Sequence, residues 1–161
     1  MKHRRSILSA LPAFLLLSGW REQEAGDLKN ERAYQNNLPR SRDPVWPKLR
    51  ACKVSFSRKS GLYSLTPTPD VKAMAGKPVK IKGFILPLDG LDMTRHFLLG
   101  VNTPVCLFHP PGEPNEVIEV RSVRPVRWTE TQVTIEGQFG LIRNAEMGVF
   151  FSLTQAKQVK A

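Results

Sequence analysis

Pro78–Leu88 reads PVKIKGFILPL, and its alternation decides the fold. Val79, Ile81, Gly83 and Ile85 fall on one side, with Lys80, Lys82, Phe84 and Leu86 on the other. That is the period of two expected of an extended strand with one buried face. Gly83 marks a place for a bulge. VTIEG at Val133–Gly137 repeats the apolar-x-apolar-x-Gly pattern of VKIKG, so each segment bends over a core. Further short apolar runs are HFLLG (His96–Gly100), VIEVRSV (Val117–Val123) and TQVTIEGQFGLI (Thr131–Ile142), and then GVFFSLTQAKQV (Gly148–Val159), which reads as strand or helix.

Thirteen prolines and eleven glycines, scattered between these runs, supply turns rather than a helical bundle. Five short strands, two of them bent at glycine, predict an all-β fold with minor α content, a small OB-like antiparallel β-barrel. Before it, TPTPDVKAMAGK reads as a turn into a short helix, with Asp70 as N-cap and Gly76 as the stop. Trp46 is the expected start of a single domain over residues 46–161.

The N-terminal region has a different character. MKHRR is basic and SILSALPAFLLLSGW is apolar over about fifteen residues, short for a bilayer span. Residues 1–20 are therefore read as a signal peptide or N-terminal anchor, which puts the protein in the periplasm or on the exported side of a membrane. LLSG resembles the approach to a lipoprotein cysteine, but the next residue is Trp20, which carries no thioether. Residues 21–45 are polar and mixed in charge, the composition of a flexible, disordered arm.

The net charge is +10, and loss of Lys2, Arg4 and Arg5 with residues 1–20 leaves +7. A basic exported domain suits anionic envelope surfaces, including peripheral membrane association, better than nucleic acid. Lys80, Lys82, Phe84, Arg95 and Trp128 combine cationic and aromatic groups as a candidate binding face for lipid headgroups, polysaccharide or an envelope protein. GxGxxG and P-loop spacings are both missing, so nucleotide hydrolysis lacks its signature.

VCLFHPPGEPNE at Val105–Glu116 concentrates the chemistry. Cys106 as thiolate and His109 as imidazole are a pair that zinc prefers, and Pro110 biases His109 toward extended backbone. Zinc takes three or four protein ligands. His96 is the expected third, and Asp89, Asp92, Glu113 and Glu116 are further carboxylates. An exported chain with two cysteines also favours a Cys52–Cys106 disulfide, and composition does not choose between the readings. A Cys-His catalytic dyad needs an oxyanion site that this loop does not provide, so the chain is not read as an enzyme. Covalent haem lacks its attachment pattern, since Thr103 occupies the place of the first cysteine in C-x-x-C-H.

DVKAMAGKPVKIKGFILPLDG, FLLG and CLFHPPGEPNEVIEV together resemble a bacterial family of small exported proteins and lipoproteins classed as domain of unknown function 3299. Cys106, His109, Pro110, Pro111, Pro114 and Asn115 carry the resemblance, over about Trp46 to Val120. Gly112-Glu113 interrupt its longer proline run. The resemblance implies an exported OB-like domain, loosely linked to zinc homeostasis and to a transporter or other envelope protein as partner.

Overall fold

The computed structural model describes residues 29–106 and 109–160. The signal or anchor segment 1–20 and the first part of the arm lie outside the described residues. Residues 29–35 are helical (α1), followed by α2 (Val45–Arg50), the hairpin β1 (Lys53–Ser57) and β2 (Leu62–Thr66), and α3 (Pro69–Met74). Then come β3 (Pro78–Pro87), β4 (Met93–Gly100), β5 (Val117–Arg127), β6 (Val133–Asn144) and β7 (Val149–Val159).

The last five strands close a barrel in the order β3-β4-β5-β7-β6. A meander through β3, β4 and β5 is followed by a hairpin whose second strand returns beside β5, the OB-like arrangement. β5 and β7 run parallel, while the other four pairings are antiparallel, so the barrel is mixed rather than wholly antiparallel. The open choice for the C-terminal segment resolves as strand.

Ile81 and Ile85 point inward as the alternation requires, and Phe97, Leu99, Ile118, Val120, Ile135, Phe139, Phe151 and Leu153 complete the core. The other side of β3 departs from expectation. Phe84 is 3% exposed, and Leu86 joins Leu98, Val149 and the half-buried Ile142 in a second cluster. From Gly83 to Leu86 the strand is buried on both faces.

Gly83 does not mark a bulge. A Cβ there would stand 2.7 Å from the Gly100 carbonyl oxygen and 2.9 Å from Leu99 Cγ, so the glycine serves close approach of β4. Gly137 does sit at an irregularity, where the β6–β7 register shifts between Glu136 and Gln138. The cap of α3 is Thr68 rather than Asp70: Thr68 Oγ1 accepts from Val71 N at 3.3 Å, with Pro69 opening the helix. Asp70 falls in the first turn, where it suits the helix dipole.

The compact unit begins at Gln35, eleven residues ahead of the expected Trp46. Gln35 and Ser41 are buried, Ser41 N donates to Val101 O at 2.8 Å, and Arg40 bridges Asn102. Polar composition concealed these contacts because the buried groups are polar and hydrogen-bonded, which composition alone reads as solvated. Trp46 is an anchor as expected: it is 1% exposed and Nε1 donates to Lys82 O at 2.8 Å.

Candidate metal-binding loop

β4 delivers the chain at Gly100 into a long excursion that returns at Val117. Both ends of this loop are pinned. On the outgoing limb, Gln35 Nε2 donates to Thr103 O at 2.8 Å and Thr103 Oγ1 donates to Pro39 O at 2.8 Å. On the return limb, Pro111 lies over Gly100, where a Cβ would come within 2.5 Å of the proline ring. Pro111, Gly112 and Pro114 are buried. The proline run therefore packs as a structural strap against the barrel.

Glu116 is the centre of that strap. Its Oε1 accepts from Arg40 Nη2 at 3.0 Å and forms an ion pair with Arg50 Nε at 3.2 Å, while Oε2 accepts from Asn102 Nδ2 at 3.2 Å and Glu113 N at 3.3 Å. Asn102 Nδ2 also donates to Pro111 O at 3.0 Å. Next to it, Asn115 Nδ2 donates to Arg50 O and Cys52 O, each at 3.0 Å. Glu116, weighed as a metal ligand, is instead occupied as the keystone of the loop. Sequence reasoning missed Arg40, Arg50 and Asn102, and gave Asn115 no partner, because the paired residues are separated by up to 76 residues.

Within this frame, Cys106 Sγ and a ring nitrogen of His109 lie within 4.8 Å of each other. Cys106 is half-buried and His109 is exposed in a bend. Zinc bonds of about 2.3 Å to sulfur and about 2.0–2.1 Å to nitrogen span such a pair after a small rotation of either side chain. Cys52 is 3% exposed in the core.

His96 is held elsewhere. Glu119 Oε1 accepts from His96 Nε2 at 2.7 Å and from Arg121 Nη2 at 2.8 Å, and among the described residues His96 does not join Cys106 and His109 within the same distance. Asp89 caps the β3–β4 turn, accepting from Thr94 Oγ1 at 2.8 Å and Leu91 N at 3.2 Å. Desolvation, the largest single cause, raises its pKa, but the hydrogen bonds from Thr94, Leu91 and its own N–H, with the nearby His96, together outweigh it and hold the carboxyl below the usual range.

Of the candidate binding face, four residues are exposed and one is buried. Phe84 is buried, as above. Lys80 and Lys82 are exposed where β3 pairs with β6, opposite Glu136 and Thr134. Arg95 and Trp128 are exposed near the β3–β4 turn, where Trp128 N donates to Asp92 O at 2.7 Å.

The fold and its strapped loop define a small OB-like β-barrel protein. A family model described as a protein of unknown function, DUF3299, matches residues 26–158, and the chain belongs to that family. Among solved structures, a DUF3299 family protein from Pseudomonas aeruginosa is similar, at 21% identity and a TM-score of 0.48, covering 61% of this chain and 69% of that one. No curated protein matches the chain.

Proposed function

We propose that this protein is an exported, non-enzymatic accessory of metal homeostasis that binds zinc through Cys106 and His109. One observation carries the reading: a thiol and an imidazole nitrogen within 4.8 Å on a loop whose outgoing limb is fastened to Gln35 and Pro39 and whose return limb packs on the end of β4. Such fastening lowers the ordering cost of binding. The pair is what the compact unit contributes to the three or four protein ligands that zinc takes. The N-terminal basic and apolar pattern supports export, and a transporter or other envelope protein is the partner such an accessory serves.

The test is metal analysis of the full chain purified from the periplasm, with zinc competition titrations. Cys106→Ser and His109→Ala are each expected to weaken binding about 10–100-fold, and affinity is expected to fall with pH because both ligands bind deprotonated. Wild-type protein that neither carries nor takes up stoichiometric zinc sinks the proposal.

A further inference from the structure

Between β2 and the end of β6 lies a cleft of about 500 Å³ that plays no part in the metal reading. It arises because the chain leaves β6 and then rejoins it. At one end Tyr63 N donates to Ala145 O at 2.9 Å. At the other, Gly76 N donates to Phe139 O at 2.8 Å and Phe139 N to Lys77 O at 2.9 Å. Between these closures the two strand edges face one another without pairing.

Ladder geometry says which groups look into the gap. Main-chain N–H and C=O groups alternate sides along an antiparallel strand. Tyr63 sends its N–H away from β1, so Leu65, two residues on, does the same. Phe139 sends its groups toward Lys77, away from β7, so Leu141 follows before the register shifts at its far side. Leu65 and Leu141 both line the cleft, and among the described residues no main-chain partner closes on either from that side. Unpaired strand edges are templates for another extended chain.

The surrounding chemistry specifies the chain. Arg143 lines the cleft beside Leu141, Phe150 and the hydroxyls of Ser57 and Ser64, and no acidic residue lines it. The adjoining hairpin carries Lys53, Arg58 and Lys59 and no acid over residues 53–66. Glu146 follows Ala145, beyond the closure. We infer that this cleft binds a short extended peptide bearing a carboxylate, which pairs its backbone with Leu65 and Leu141 and sets its carboxylate against Arg143. The closures at both ends limit pairing to two or three residues, so weak binding is expected, in the range of about 10–100 μM.

The probe is acetyl-Leu-Val-Glu-Val-Leu-amide, titrated into the ¹⁵N-labelled full chain. Shifts should concentrate at the amides of Leu65, Leu141 and Arg143. Exchange of the peptide's Glu for Lys should weaken binding at least about fivefold, and Arg143→Glu should restore the Lys peptide while losing the Glu one. The same sequence with Gln in place of Glu and a free C-terminal acid distinguishes a side-chain carboxylate from a terminal one, and binding of either in the expected range supports the site. Backbone N-methylation at both valines should abolish binding. Undiminished binding of the N-methylated peptide, equal binding of the Glu and Lys peptides, or shifts confined to other residues overturns the inference.

Discussion

Arg40 Nη2 donates to Glu116 Oε1 at 3.0 Å across 76 residues of chain, and the same oxygen takes Arg50 Nε at 3.2 Å. Glu116 is 13% exposed while the two arginines are 37% and 51% exposed, so screening weakens the arginine side of the pairing. The hydrogen bond from Asn102 is better sheltered. Glu116→Ala is therefore expected to cost about 1–3 kcal/mol, mostly through the lost Asn102 bond, in urea denaturation. Arg50→Ala is expected to cost less than 1 kcal/mol, roughly, on the same measure. Equal losses in the two variants would mean that the ion pairs, not the loop bonds, hold the strap.

Gly100 and Pro111 make a second test of the strap. A Cβ at Gly100 meets Pro111 Cγ at 2.5 Å and Pro111 Cβ at 3.1 Å, and a ring fixed in the chain has no rotamer to escape into. Gly100→Ala should thus lift the loop, costing about 1–3 kcal/mol. Its more specific effect is on the metal pair downstream: zinc affinity should fall although neither ligand has changed. Unaltered stability and affinity in Gly100→Ala would mean that the loop is not clamped there.

The barrel was legible in the sequence because its signal is local. Ile81 and Ile85 alternate with lysines over one strand, and each strand that followed carried its own apolar run. Cys106 and His109 were legible for the same reason, three positions apart. The burial of Leu86 was not: period-two alternation assigns its face to solvent, whereas Val149 and Ile142, far along the chain, join its cluster. The strap was illegible as well, since Glu116 gains its role from Arg40 in a stretch whose composition resembles a disordered arm. Thr68 was missed as cap because Asp70 is an equally good capping type nearby, and only the position of Val71 N decides between them.

Asp89 gives a pH prediction. Its folded pKa is depressed, so the stabilisation is present above the unfolded value and is lost as pH falls through the lower folded value. Asp89→Asn should lower the melting temperature by a constant amount at neutral pH, and the gap should narrow below about pH 3.8 as the wild-type carboxyl protonates. The side chain is solvent-exposed, so the effect is small. A gap independent of pH down to 2 would show that the Asp89 charge contributes nothing to stability.

Cys52 and Cys106 separate the metal reading from the disulfide. Cys52 is packed in the core at 3% exposure, and its carbonyl receives Asn115, so Cys52→Ser places a hydroxyl where a small apolar group sat. That change should cost about 1–3 kcal/mol and leave zinc affinity nearly unchanged. Cys106 is only half-buried on the outgoing limb, so Cys106→Ser should cost little stability while removing the thiolate that zinc prefers. The two variants thus split cleanly, one losing stability and the other losing metal. A Cys52–Cys106 crosslink predicts a different pattern: similar losses of about 2–4 kcal/mol in both variants, a matching loss on reduction of the wild type, and no dependence on zinc. Thermal melts of the two variants with and without reductant, set beside a thiol count of the unfolded wild type, decide between them, because a crosslinked chain yields no reactive thiol until it is reduced and a metal-bound one yields two once denatured.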